Sequence, residues 1–117
     1  MAQNISLPIY KTSYDVLMVF FQLSAKFSRE LKFTLGEKMK NETVELLVNI
    51  CKINNSEKKN EELFSLAFDR VEKIRIYLRI AKDLKEINLD KFVDVNESLE
   101  YILKQLSLWE KNWARVA

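Results

Sequence analysis

Turn-forming residues are nearly missing from this chain of 117 residues. It holds one Gly and one Pro, where average usage gives roughly 7 % and 5 %. So little punctuation leaves few turns and favours a small number of long helices. There is no His, which removes the commonest general base, the Ser-His and Cys-His nucleophile pairs, and the commonest zinc ligand. The single Cys51 excludes an internal disulfide and a cysteine metal cluster, and suits a reducing, cytoplasmic location. Gly36 stands alone, so there is no Gly-rich phosphate loop. The Asp and Glu residues offer no separated carboxylate pair in a recognisable site. No catalytic residue, metal site or cofactor is therefore expected, and the chain reads as a non-enzyme.

Membrane signals are also missing. No basic segment precedes an apolar h-region and a small-residue cleavage site, so no signal peptide is expected. The longest uncharged run, between Asp15 and Lys26, is ten residues, about half of a membrane span. Net charge is only +2, so nucleic-acid binding would have to come from clustered Lys and Arg rather than from an overall basic field.

What is present is apolar periodicity. Hydrophobic residues make up 48 % and charged residues 31 % of the chain, enough to bury one core, and the length suits a single domain over 1–117. Met1 to Leu7 read as a frayed arm. Pro8 fits the first turn of a helix, where its missing N–H is not needed. From there Ile9, Ser13, Val16, Phe20, Leu23 and Phe27 step by four and three. Leu35, Met39, Thr43, Leu46, Ile50 and Ile53 do the same, with Leu47, Val48 and Cys51 widening the face. Phe64, Ala67, Val71, Ile74, Leu78 and Ala81 form a third seam. Phe92, Val95, Leu99, Ile102, Leu106, Trp109 and Trp113 form a fourth. The spacing predicts helices over about 8–26, 34–54, 57–86 and 89–114. Short breaks make neighbours antiparallel, so the fold class is all-α, an up-down-up-down four-helix bundle.

Local signals mark the ends. Ser28 suits the cap of a short helical turn. Thr34 and Glu37 have the spacing of a capping box. Asn55 or Ser56 suits the cap of the third helix, and Asn88 that of the fourth, with Ile87 and Phe92 at the staple positions. In the last helix Asp90, Asp94, Glu97 and Glu100 come early and Lys104, Lys111 and Arg115 late, in the sense the helix dipole favours.

Two features exceed what a lone bundle needs. The first is the run Val16, Leu17, Met18, Val19, Phe20 and Phe21, apolar all the way round its helix. One bundle cannot cover both sides, so these six residues are the expected oligomer interface. Ile76 and Ile80, off their seam, hint at further contact surface, and Tyr77 is an open candidate for a partner contact. Cys51 and the two Trp residues fit core roles better than reactive or base-stacking ones.

The second is a basic row on the helix over 57–86. Arg75, Arg79 and Lys82 fall at i, i+4 and i+7, about a quarter turn from the apolar seam. Lys104, Lys111 and Arg115 add a row on the last helix. Cations gathered on one surface suffice for phosphate neutralisation. They serve equally as solvated charges, and Glu72–Arg75 and Arg79–Asp83 have the spacing of intrahelical pairs.

Fragments in fixed order carry a family resemblance. They are Leu7-Pro8-Ile9-Tyr10, Tyr14-Asp15, Phe27 with Arg29-Glu30, Thr34-Leu35-Gly36-Glu37-Lys38, Leu78-Arg79-Ile80-Ala81-Lys82-Asp83-Leu84, and Gln105-Leu106 with Trp109. From about Leu7 to Trp113 the chain resembles the Avd family, the accessory variability determinant of diversity-generating retroelements. That family is related to the four-helix-bundle proteins encoded in intervening sequences of bacterial 23S rRNA genes. The resemblance implies a ring-like homo-oligomer, a homopentamer of four-helix bundles with a positively charged surface. It implies binding to the retroelement reverse transcriptase and to nucleic acid (RNA, DNA or an RNA/DNA hybrid), in support of mutagenic copying of template RNA. The alternative is an intervening-sequence-type structural or protein-interaction bundle without nucleic-acid binding. Two departures from the family pattern matter. Ser28 stands where Pro is common, and Ser107 and Leu108 stand where small residues precede the Trp, which bears on packing near Trp109.

Overall fold

The computed structural model describes residues 7–116, with side chains through Trp113. Of the arm read as frayed over residues 1–7, residues 1–6 lie outside the described residues, as does the side chain of Arg115, while Leu7 packs against the core. Five helices follow in order: α1 Pro8–Ser24, α2 Arg29–Lys32, α3 Leu35–Asn54, α4 Glu61–Asp83 and α5 Leu89–Val116. The described residues contain no strand. The four long helices pack as a bundle in which α1 touches α3 and α5, and α4 touches α3 and α5.

Contacts between helices run in opposite directions along the chain. Lys40 lies over the Phe21 ring at 4.8 Å, while a Cβ on Gly36 would stand 3.0 Å from that of Ser24. Glu42 meets Arg70 and Asn49 meets Leu63. Lys82 meets Phe92 and Arg75 meets Glu100. Each pairing falls in one helix as it rises in the next, so neighbours are antiparallel. The α1–α3 and α4–α5 connections therefore lie at one end of a bundle about 47 Å long.

The core follows from the four seams. All six seam residues of α3 are buried, and those of α4 are completely so. Covering each large aliphatic or aromatic side chain contributes about 1.5–3 kcal/mol against the entropy of ordering it. Leu23 on α1 and Phe92, Trp109 and Trp113 on α5 are half-buried against the same core. The Phe64 ring meets Trp109 edge-on at 5.6 Å and Trp113 at 6.2 Å, so both indoles are spent on packing. Tyr77 also packs against the core and is half-buried, a poorer partner contact than its place off the seam implies. Cys51 is a half-buried free thiol, at the edge of the core rather than in it.

The helix ends depart from the sequence signals in instructive ways. The first helix stops at Ser24, two residues early, and the chain turns through α2 before α3. Thr34 makes no capping box. It follows α2 directly, so its hydroxyl donates to the Glu30 carbonyl at 2.9 Å, and the Glu37 carboxylate pairs with Lys40 at 2.8 Å. The helix expected from residue 57 begins at Glu61. Its cap is Asn60, whose Oδ1 accepts from Leu63 N–H at 3.1 Å. Ser56 is unavailable because its hydroxyl donates back to the Lys52 carbonyl at 2.7 Å, closing α3 instead. Asn88 does cap α5, accepting from Lys91 N–H at 2.8 Å.

The end of α4 is a Schellman turn. Glu86 N–H donates to the Ala81 carbonyl and Lys85 N–H to the Lys82 carbonyl, with Lys85 at φ 63°. That left-handed position usually goes to Gly. The turn presents the Glu86 carboxylate to Ser28 N–H at 2.6 Å, which ties the α1–α3 and α4–α5 connections together. A Pro at 28, common in the resembled family, would have no N–H to donate.

Candidate nucleic-acid interface

Helical spacing and helix pairing together build one face along the α4–α5 groove. Arg75, Arg79 and Lys82 leave α4 on the side turned toward α5. The groove beside them is lined by Glu72, Arg75, Ile76, Arg79, Phe92 and Asn96, with a volume of about 270 Å³. Lys104 follows Glu100 by one turn of α5 and Lys111 follows it by three, so both continue this flank, and both are exposed. Arg115 has no described side chain and cannot be placed on it.

Each cation of the α4 row meets a carboxylate. Arg75 Nη1 lies 3.5 Å from Glu72 Oε1 and 3.5 Å from Glu100 Oε2. Arg79 Nε lies 3.6 Å from Asp83 Oδ2, and Lys82 Nζ lies 3.5 Å from Asp83 Oδ1. Lys82 also covers the Phe92 ring at 4.7 Å, a cation–π contact. Three cations thus face Glu72, Glu100 and Asp83, and the row carries no net charge of its own. The pairs are long and their carboxylates mostly exposed. Such pairs are worth about 0–1 kcal/mol and exchange readily. Arg79, at 71 % side-chain exposure, is the member most available to an incoming anion. Lys104 and Lys111 are in no ion pair among the described residues.

A second polar network lies on the opposite side of α4. Arg70 donates from Nε to Asn49 Oδ1 at 2.8 Å and reaches Glu42 Oε1 at 3.3 Å. Asn49 in turn donates to the Leu63 carbonyl at 3.1 Å, and Lys73 joins Glu42 at 3.5 Å. Arg70 and Glu42 are largely covered. This network seals the α3–α4 seam and is structural. No single-helix spacing signals it, because its partners come from two helices.

The apolar run of α1 is divided by the fold. Val16 and Phe20 enter the core of their own bundle, Leu17 is buried and Val19 is half-buried against the core. Met18 at 43 % and Phe21 at 50 % exposure remain on the surface. They are joined by Tyr14 on α1 and by Val44 and Val48 on α3. The outer side of the α1–α3 pair therefore keeps apolar side chains that the bundle does not cover.

A cleft of about 280 Å³ lies between the start of α1 and the end of α5, lined by Leu7, Pro8, Ile9, Gln105, Leu108, Trp109 and Asn112. None of these titrates near neutrality, so it offers no group for proton transfer. Among the described residues no three His, Cys, Asp or Glu converge as metal ligands, and no helix is long and apolar enough to cross a membrane. No family model and no curated protein matches the chain.

Proposed function

We propose that this chain is a non-enzymatic, oligomeric accessory protein that binds nucleic acid and a reverse transcriptase, as the resemblance to the Avd family implies. The supporting observation is the α4–α5 flank, which carries Arg75, Arg79, Lys82, Lys104 and Lys111 and where the pairs holding the first three are long and exposed. Phosphate oxygens compete well for guanidinium and ammonium groups held this loosely. A ring, homopentameric in the resembled family, repeats the flank once per subunit and turns a modest monomer charge into a multivalent surface. The reverse transcriptase, the mutagenic copying of template RNA and the cytoplasmic location rest on the resemblance alone.

A second reading is a structural scaffold of the intervening-sequence type. It is favoured by the balance of charges, since Glu72, Glu100 and Asp83 neutralise the α4 row within the subunit.

A salt series separates the two. Structured RNA is titrated with the full chain at rising salt concentration, and the affinity is followed by gel shift. The proposal expects binding that falls log-linearly with salt, and a slope about 2 or more shallower when Arg75, Arg79 and Lys82 are all reversed to Glu. No binding at low salt favours the scaffold, and binding untouched by the reversal removes the α4–α5 flank as the site.

A further inference from the structure

The connections at one end of the bundle gather cations around an exposed ring. Lys26 follows α1, Arg29 and Lys32 lie on α2, and Lys85 lies in the α4–α5 turn. None of these four is in an ion pair among the described residues. The Ser28–Glu86 hydrogen bond brings the Lys85 turn against α2. Leu31 packs on the core and fixes the inner side of α2. Phe33 continues α2 with helical backbone angles, so it stands one turn beyond Arg29 on the outer side. It is 68 % exposed, the most exposed large apolar side chain among the described residues. Glu30 and Glu86 lie in the same connections, with Glu86 held by Ser28 N–H, and Asp83 and Asp90 flank the α4–α5 turn.

A free ring in such surroundings is costly to leave in water and adds nothing to the core. Its setting selects among partners. A duplex shows no open base face for it to cover. The carboxylates of an acidic protein surface would pair with the cations but offer the ring no face to stack on. A bilayer needs a continuous apolar face, and Lys85 and Asn88 stand between the exposed Leu84 and Leu89, with Asp90 just beyond. An unstacked base between phosphates uses both the ring and the charges.

We propose that this end of the bundle binds single-stranded nucleic acid. Phe33 is the platform for one base, and Lys26, Arg29, Lys32 and Lys85 take the flanking phosphates. The inference rests on the nucleic-acid reading given above but assigns a different surface from the α4–α5 groove.

The test uses the full chain and a fluorescein-labelled 12-nucleotide RNA, alone and annealed to its complement, with anisotropy read across a salt series. The single strand is expected to bind more tightly than the duplex. Phe33→Ala is expected to weaken single-strand binding roughly 5- to 150-fold with the salt slope unchanged. Phe33→Trp keeps the affinity. Arg29→Glu with Lys32→Glu lowers the slope by about 1.4, at about 0.7 per phosphate contact. Circular dichroism of each variant at the wild-type helix content establishes that the loss is one of contact. Phe33→Ala binding like the parent, while reversal of Arg75, Arg79 and Lys82 abolishes binding, overturns this site and leaves the groove in place. Equal affinity for strand and duplex overturns it too. Binding to vesicles of phosphatidylserine and phosphatidylcholine that needs Phe33, with no RNA binding, reassigns the surface to a membrane. No RNA binding by the parent at low salt overturns both nucleic-acid readings.

Discussion

Ser13 carries a buried side-chain oxygen with no hydrogen-bond partner among the described residues. It sits on the α1 seam between Ile9 and Val16, fully covered. Leaving a buried hydroxyl unpaired costs about 1–3 kcal/mol, and removing it leaves only a methyl-sized change. Ser13→Ala is therefore expected to stabilise the fold by about 1 kcal/mol, measured as a rise in urea midpoint at constant m-value. A loss of stability would mean that the hydroxyl is satisfied in solution. The contrast with Thr43 is direct. Thr43 is buried at the corresponding place on α3, and its hydroxyl donates to the Met39 carbonyl at 2.8 Å. Spacing alone assigned both to seams, and both are buried. Whether a hydroxyl finds its i−4 carbonyl depends on rotamer and neighbours, which periodicity does not encode. Gly36 shows the same limit. Its place near a helix start was readable, but its use is the approach of α3 to Ser24, where a Cβ would stand at 3.0 Å.

At the level of elements, the seams were legible because each is a long repeat sampled by six or seven residues, so one misplaced residue does not change the outcome. Caps are single-residue events. The stretch Asn55-Ser56-Glu57-Lys58-Lys59-Asn60 offers three capping side chains, and α4 uses the last of them. Asn60→Ala is expected to cost about 1 kcal/mol, with Asn55→Ala near neutral, in parallel denaturation curves. The reverse order would restore the earlier start. The basic row divides in the same way. Its Glu72 and Asp83 partners lie within one helix and were readable as i, i+3 and i, i+4 pairs. Glu100 lies 25 residues from Arg75 and becomes a neighbour only when α5 folds back on α4. The basic cluster around Phe33 has no signature in the sequence for a related reason. A four-residue helix has no period to detect, and Lys85 reaches it through a turn 58 residues away in the Ser28–Glu86 link.

At the scale of the molecule, the exposed apolar residues of α1 and α3 are the place to test for assembly. Tyr14, Met18 and Phe21 on α1 lie beside Val44 and Val48 on α3, all exposed, and neither α4 nor α5 reaches that side. Exposed apolar side chains grouped on one side of a small bundle suit an interaction site. The notion of a six-residue interface narrows accordingly, since Val16, Leu17 and Phe20 are already buried within the subunit. If subunits associate through this face, placing charge at its exposed members should dissociate them without unfolding them. Met18→Glu with Phe21→Glu is expected to convert an oligomer to a 13.9 kDa monomer by light scattering at micromolar concentration, with helix content retained. The matching change Val16→Glu would unfold the bundle instead, because that side chain is core. A parent that is itself monomeric counts against assembly through this face. The same measurement bears on nucleic-acid binding. If the α4–α5 flank works by repetition around a ring, the Met18→Glu, Phe21→Glu monomer keeps every cation and still loses affinity and salt slope together, because fewer phosphates are met at once. Unchanged binding by that monomer would show that one subunit suffices.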